Sequence, residues 1–369
     1  MKKKSMILFV LSLVWYLGYS QPCSDEIARS TKGKWQETDE NNYSDPNMKG
    51  FRVFPELQKK ALGLKQIFVS FYPDPIGCEV TNITFFHENN NVDFDYSAAY
   101  NFELTLRYYI CDDDNKVAVE EYTEGAQAGI YVNTFRTFLN NGGDPSSTFE
   151  IDGKMQDVFM LPPPAGKIKG YKVYQLSYNK AILFTHDNKL PFKTLTREQF
   201  LNGLMKEFNN APGEVNSAVD ELEADLKQQL ADVDKNFEGE MREVMRKELQ
   251  NAIEEVKKQR TTGMNNLNQG LNEEKAEIEK YLASHSREDL QQPACVMTTA
   301  VFRGFFTEEE GGQYLIVRDE NYIKRNLPMD AAQMILLEWN SDGDPIGDEF
   351  VKKFEANFPF EKIQSAIDK

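Results

Sequence analysis

Histidine, the side chain that most often moves protons near neutral pH, is scarce in this sequence. Its three histidines, His87, His186 and His285, lie on separate segments, and none belongs to the H-E-x-x-H pattern of a zinc site. The sequence also lacks G-x-S-x-G, a phosphate-binding loop and G-x-G-x-x-G, which position a nucleophile, a nucleoside triphosphate and a dinucleotide. We therefore predict no metal centre and no bound cofactor, and we identify no catalytic motif.

Carboxylates are the remaining groups that could do chemistry, because two of them across a cleft can hydrolyse a glycosidic bond. Asp93 and Asp95 are two residues apart, so on a strand they would share one face and could converge on a cation or a sugar. Asp342 and Asp344 lie in a turn that resembles the calcium loop of an EF-hand, but its fifth and twelfth positions hold isoleucine and lysine. A turn or a solvated edge is the favoured interpretation of both pairs.

Four cysteines, Cys23, Cys78, Cys111 and Cys295, could form disulfides in an exported protein. We favour a Cys78–Cys111 bond, because both residues lie in a strand-rich stretch. The alternative, that some of the four are free buried thiols, stays open, since a large core needs no staple. No two cysteines have C-x-x-C spacing, so metal binding by them is not expected. A proline precedes Cys23, which departs from the motif for lipid attachment.

The beginning of the chain predicts export. Lysines at positions 2–4 precede an apolar run over residues 6–18, and Gly18 and Ser20 place small side chains just before Gln21. This is the layout of a secretory signal peptide over residues 1–20, with the mature protein starting at Gln21. The apolar run is too short to span a bilayer, which takes about 20 residues. We expect an exported protein, periplasmic or extracellular, that is soluble after cleavage.

The formal net charge of −17 narrows the classes of partner. An acidic surface repels phosphate backbones and anionic membrane surfaces, so nucleic acid binding is not expected. No second apolar run approaches the length of a membrane span, so no integral segment is expected after cleavage. The expected partner is a protein or a second copy of the chain.

Residues 78–185 have the pattern of antiparallel strands. Along residues 102–110, apolar and polar side chains alternate, as in a strand with one buried face. Residues 112–115 predict a hairpin turn that leads into a returning strand over 116–122. A second hairpin is predicted over 171–176 and 181–185. An amphipathic helix over 51–71 precedes these strands, because its apolar residues recur at steps of three and four.

A long charged helix is the second distinctive feature. Thr196 and Gln199 form a capping box that predicts a helix start, and the polar sequence beyond Gly213 carries one apolar stripe. The stripe advances in steps of three and four that repeat every eleven residues, which keeps it nearly straight along the helix. We predict that this seam packs against a returning helix or another chain; its residues are Val219, Leu222, Leu226, Leu230, Val233, Phe237, Met241 and Val244.

Residues 261–263 are the best candidate for a break in this helix, since a glycine stands at 263 and helical spacing resumes at Met264. We favour an antiparallel helical hairpin over one long kinked helix, because a single apolar stripe must be covered. The stripe of such a helix is more often a packing seam than a partner site, and both interpretations are kept.

Three stretches resemble large secreted proteins of Bacteroidetes-type bacteria that have no assigned activity. They are residues 72–77 (YPDPIG), residues 190–201 (LPFKTLTREQFL) with the charged helix that follows, and residues 321–328 (NYIKRNLP). The junction between Ser20 and Gln21 is also similar to export sites of such bacteria. The resemblance implies a location and an architecture, and it assigns no catalytic residues.

Taken together, these patterns predict an α+β fold in which an antiparallel sheet is built from strands on both sides of an inserted helical, coiled-coil-like arm. The expected organisation is a signal peptide (1–20), an N-terminal helix with a β-rich region (21–195), the arm (196–290), and C-terminal strands with a closing helix that complete the sheet (291–369). The expected function is non-enzymatic binding or a structural role through the arm. The alternative is a secreted hydrolase with a carboxylate site in the sheet domain.

Overall fold

The computed structural model describes residues 23–36, 54–87, 97–120, 125–135, 137–139 and 145–368. The chain divides into two compact units, each built from segments that are not contiguous in sequence. Unit 1 comprises Met1–Gly143, Pro162–Pro191 and Glu320–Lys369, and unit 2 comprises Asp144–Leu161 and Phe192–Asp319. The predicted signal peptide and the start of the mature chain lie outside the described residues. Within the described ranges, no helix combines the length and the apolar character needed to cross a membrane.

Unit 1 combines one sheet with four helices among its described residues. Its strands are β1 (Cys78–His87), β2 (Ala99–Cys111), β3 (Val117–Val119), β4 (Gln127–Val132), β7 (Pro164–Ile168), β8 (Tyr171–Gln175), β9 (Lys180–Thr185) and β13 (Met334–Asn340). Its helices are α1 (Asp25–Ser30), α2 (Phe54–Phe71), α6 (Pro345–Asn357) and α7 (Phe360–Ser365).

Unit 2 combines a smaller sheet with two long helices. Its strands are β5 (Ser147–Ile151), β6 (Lys154–Met160), β10 (Phe192–Thr194), β11 (Cys295–Val296) and β12 (Gln313–Arg318). Its helices are α3 (Arg197–Asn236), α4 (Gly239–Ser284) and the short α5 (Arg287–Leu290).

The sheet of unit 1 has eight strands in the order β1-β2-β4-β13-β9-β8-β7, with β3 paired to β2. Every pairing in it is antiparallel. Strand β13 comes from beyond the arm in sequence and lies between β4 and β9. The expectation of a sheet built from both sides of the arm is thus confirmed, as is the α+β class.

Alternation along β2 decides which face of this sheet is covered. Phe102, Leu104 and Leu106 are buried in the main core with residues of α2, α6 and α7. The ring of Phe68 on α2 lies 5.5 Å from that of Phe102 and 6.1 Å from that of Phe354 on α6. Residues between these apolar positions project to the opposite face, because successive side chains alternate along a strand.

The second sheet was not anticipated from the sequence. It has five strands in the order β10-β12-β6-β5, with β11 paired to β12. The predicted capping box opens α3, since the Thr196 hydroxyl accepts from the Gln199 N–H and the Gln199 side chain accepts from the Thr196 N–H. The first turns of α3 then pack on this sheet, where the ring of Phe200 lies 6.0 Å from that of Phe149.

Helices α3 and α4 form an antiparallel hairpin, as the pairing of their charged side chains shows. Near the middle of the hairpin, Arg260 donates to Asp220 at 2.7 Å and to Asn216 at 3.1 Å. Near its tip, Arg246 pairs with Asp234. The turn lies between the residues of this second pair.

The break predicted near residues 261–263 is wrong. The chain leaves helical geometry at Phe237 and Glu238 and re-enters it at Gly239, whose φ of +60° suits glycine best. Gly263 lies inside α4 instead, and a Cβ added there would meet no heavy atom within 4 Å. Residues 264–284, which were predicted to form the returning helix, are the C-terminal part of α4. The middle of α3 instead pairs with residues near 257–260.

The predicted Cys78–Cys111 disulfide is also wrong. Cys111 is bonded to Cys23, with a Cα–Cα distance of 5.6 Å, and Cys78 and Cys295 are free and buried. The register of β1 and β2 explains the error, because Cys78 stands opposite Tyr108 and faces the core, whereas Cys111 lies three residues farther along β2.

Candidate functional site

A polar pocket of about 240 Å³ lies on the sheet face of unit 1 opposite the helices. Its geometry follows from strand register. Glu103 on β2 stands opposite Gly129 on β4, and Gly129 stands opposite Glu338 on β13. Neighbouring strands are about 4.8 Å apart, so the two glutamates start about 10 Å from each other on one face. Two carboxyl groups therefore border a strip that carries no side chain at its centre.

Tyr131 closes over this strip. It lies two residues after Gly129 on β4 and so shares the same face. A Cβ atom at Gly129 would stand only 2.9 Å from Cε2 and 3.0 Å from the hydroxyl oxygen of Tyr131. The tyrosine hydroxyl hydrogen-bonds to Glu103, and burial, with both carboxylates nearby, raises the pKa of Tyr131. Glycine at 129 is what lets the ring cross the floor of the pocket.

Glu338 is the most unusual residue of the pocket, because its side chain is charged at neutral pH in water yet only 4% exposed here. Burial raises the pKa of Glu338, hydrogen bonds with Thr137 and Asn179 oppose that rise, and the nearby Glu103 adds to it. The Asn179 amide donates to Oε2 at 3.1 Å. Oε1 is buried and has no hydrogen-bond partner of good geometry in the described part of the chain.

The pocket is lined by acidic and amide side chains. Glu103 and Glu338 supply carboxylate oxygens, and Gln127, Asn179 and Asn340 supply amides along the rim. Among the described residues that line the pocket there is no lysine or arginine. The pocket is suited to hold a ligand that is rich in hydrogen-bond donors.

The three histidines lie on three different segments, as the sequence indicated. His87 ends β1, and His186 opens a short 3₁₀ turn after β9, where burial lowers its pKa. His285 follows α4 and stacks on Tyr281 with ring centres 3.6 Å apart. No group of three or more His, Cys, Asp or Glu side chains suited to a metal ion occurs among the described residues.

Asp342 and Asp344 have structural roles. Asp342 accepts the Tyr108 hydroxyl at 2.7 Å, and Asp344 caps α6 by accepting the Ile346 N–H at 2.8 Å. Asp344 also lies 3.4 Å from Arg29. These partners account for the turn without a cation. The other predicted pair, Asp93 and Asp95, lies outside the described residues.

The predicted seam of the arm divides into covered and uncovered positions. Val233 is buried, and the half-buried members are Val219, Leu226, Leu230 and Phe237. Leu222, Met241 and Val244 are exposed by 49%, 57% and 49%. Met241 and Val244 lie beyond the break at Phe237, which ends the single straight stripe and starts a new helix.

Three of these residues make an apolar tip at the end of the hairpin: Phe237, Met241 and Val244. Met241 and Val244 are three residues apart on α4 and therefore share one helical face. The rest of α3 runs from the sheet of unit 2 to this tip, so residues 209–236 extend about 42 Å at 1.5 Å per residue. The arm thus presents exposed apolar side chains at its far end.

Sequence reasoning did not single out Glu103, Tyr131 or Glu338. A usable signal was present in β13, where Glu338 is the one charge in an otherwise apolar strand before Trp339. A lone carboxylate in a strand that is buried on both faces must find partners, which marks it for attention. Its partners come from distant segments and could not be read from spacing.

Comparison with protein-family models, with curated proteins and with solved structures finds no match to this chain. The assignment of function therefore rests on the pocket and the arm.

Proposed function

We propose that this protein is an exported, non-enzymatic binding protein that contacts a protein partner, or a second copy of itself, through its helical arm. The observation that carries the proposal is the apolar tip, where Met241 and Val244 are about half exposed at the end of a long hairpin. Apolar side chains that cluster at an exposed end are typical of interaction sites.

The disulfide between Cys23 and Cys111 supports export, because such bonds persist in oxidising compartments and are rare in the cytosol. The seam between the helices is thin, since Val233 and Ile253 are its buried apolar residues away from the base of the arm. A hairpin with so little internal core gains stability when a third surface covers its remaining apolar side chains.

The alternative of a secreted hydrolase has weaker support. Two catalytic carboxylates must flank the bond that breaks, but the Tyr131 ring lies between Glu103 and Glu338 and its hydroxyl is hydrogen-bonded to Glu103. A pocket of about 240 Å³ is also below the roughly 300 Å³ at which sites for larger ligands begin. Hydrolysis therefore stays an untested hypothesis.

The test replaces the exposed apolar pair by charge. A Met241→Asp/Val244→Asp variant should retain the wild-type melting temperature, because both positions are exposed, yet lose self-association in sedimentation or cross-linking to a partner. Glu240→Lys is the matched control, since it changes an exposed charge on the same turn and should leave association intact. Unchanged association in the double variant, with the fold intact, would contradict the proposal.

A further inference from the structure

The pocket of unit 1 carries an inference that is independent of the arm. We propose that the pocket between Glu103, Tyr131 and Glu338 is a binding site for a small organic cation, a primary ammonium or a guanidinium group.

The first argument is an unfilled acceptor. Asn179 donates to Oε2 of Glu338 and the Thr137 hydroxyl also lies near this carboxyl group, but Oε1 is buried and has no partner of good geometry among the described residues. An unpaired buried carboxylate oxygen is costly, and the cost falls when a donor reaches it. Glu338 lines the pocket, so its carboxyl group borders the space that a ligand would enter.

The second argument is charge balance. Two carboxyl groups face one pocket, and no lysine or arginine is among the described residues that line it. Elsewhere in unit 1, buried or half-buried acids do have such partners, as in the pairs of Glu355 with Lys180 and of Asp330 with Lys60. A bound cation would offset the negative charge of the Glu103–Glu338 pair, as lysine does for these other acids.

The third argument is size and donor number. A pocket of about 240 Å³ holds one small group rather than an extended ligand. An ammonium offers three donors and a guanidinium five, and neither accepts a hydrogen bond. Both match a site whose acidic groups offer oxygens only. A calcium ion would take six to eight oxygen ligands, of which the two glutamates supply at most four.

The fourth argument is preorganisation. Asn101 donates to Glu103, and Tyr131 also bonds to this carboxylate, while Asn179 fixes Glu338. Side chains held in this way lose little freedom when a ligand binds, which favours affinity. Gly129, which has no side chain, leaves room for the Tyr131 ring between the two glutamates.

The test is calorimetric titration of the mature protein with agmatine and putrescine, each compared with glucose and with calcium chloride. We expect saturable one-to-one binding of at least one amine. Glu338→Gln and, separately, Glu103→Gln should weaken it at least tenfold, which corresponds to about 1.4 kcal/mol. Glu150→Gln is the control, because Glu150 is an exposed acid paired with Lys206 in unit 2, and it should bind like the wild type.

Circular dichroism and a melting temperature establish that each variant is folded. If the Glu338 variant is unstable, the variant at the half-buried Glu103 tests the same site. Gly129→Ala should also weaken binding, since its Cβ would push the Tyr131 ring out of its position. No saturable binding of either amine would overturn the proposal. Tighter binding of glucose or calcium would overturn the choice of ligand class, and wild-type affinity in both glutamate variants would overturn the choice of site.

Discussion

At the scale of single residues, unit 1 has one disulfide, between Cys23 and Cys111, and one buried free thiol, that of Cys78. Burial raises the pKa of the Cys78 thiol to about 11, so at neutral pH it stays protonated and is a poor nucleophile. Thiol–disulfide exchange between Cys78 and the Cys23–Cys111 bond is therefore slow at neutral pH. The bond closes a loop with a sequence separation of 88 residues.

A Cys23→Ser/Cys111→Ser variant should lose stability in unit 1. The chain-entropy model gives about 4 to 5 kcal/mol for a loop of this length, and measured losses span about 2 to 5 kcal/mol. Denaturant unfolding measures the loss, and a reductant should produce the same loss in the wild type but none in the variant. Peptide mapping without reductant should recover Cys23 linked to Cys111; recovery of a Cys78–Cys111 peptide would contradict the structure.

The sequence shows which side chains near the pocket are unusual, but not that they meet. Glu103 is on the polar side of a predicted alternation, and Glu338 interrupts an apolar strand. Their meeting depends on the register of β2, β4 and β13, and β13 is separated from the other two by all of unit 2. Asp342 and Asp344 resemble cation ligands in the sequence, because their spacing is local and therefore visible there. In the structure, Asp342 accepts a hydrogen bond from a tyrosine and Asp344 caps a helix.

At the scale of elements, one close approach fixes how α3 docks on the sheet of unit 2. Gly203 faces Phe149 on β5, and a Cβ at this position would stand 2.8 Å from the ring. The missing side chain lets the helix approach the strand closely. The contact lies at the base of the arm, where Phe200 and Leu204 are fully buried.

Substituting this glycine tests the docking. Gly203→Ala should lower the free energy of unfolding of unit 2 by about 1 to 3 kcal/mol, the usual cost of overpacking. Gly263→Ala is the matched control in α4, where a Cβ meets nothing within 4 Å; it should raise stability by about 0.5 to 1 kcal/mol, because alanine is the better helix former. Chemical denaturation followed at 222 nm compares the two, and equal effects would mean that α3 does not approach β5 in this way.

Helix boundaries were predicted well where the signal is local and poorly where it is not. The capping box at Thr196 satisfies its own backbone donors, so it determines a helix start without help from the rest of the fold. The turn of the arm is different, since Gly239 and Gly263 both follow polar stretches and each could end a helix. Which one does so depends on the pairing of the helices, and Arg260 with Asp220 and Asn216 brings the two helices together around Gly239.

At the scale of the whole molecule, the two units have separate cores and separate optical signals. The chain has three tryptophans, of which Trp15 lies in the predicted signal peptide. Trp35 and Trp339 both belong to unit 1. The two long helices, with 40 and 46 residues, belong to unit 2 and should therefore dominate the far-ultraviolet dichroism.

Thermal unfolding of the mature protein should therefore give two transitions. Tryptophan fluorescence should follow unit 1 and dichroism at 222 nm should mainly follow unit 2, because units with their own cores unfold separately. A reductant should lower the fluorescence midpoint, through loss of the Cys23–Cys111 bond, and leave the main dichroism midpoint unchanged. Fluorescence and dichroism curves that superimpose with and without reductant would contradict separate unfolding.

The central place of β13 has a consequence for the order in which the molecule is made. All segments of unit 2 have been synthesised once Asp319 is added, whereas the sheet of unit 1 still lacks the strand that joins its halves. Until residues 334–340 follow, β4 and β9 each present an unpaired edge, which is the kind of edge that invites wrong pairing between chains. Unit 1 thus begins first and is completed last, and a chain that ends between residues 319 and 334 has every segment of unit 2 but an open sheet in unit 1.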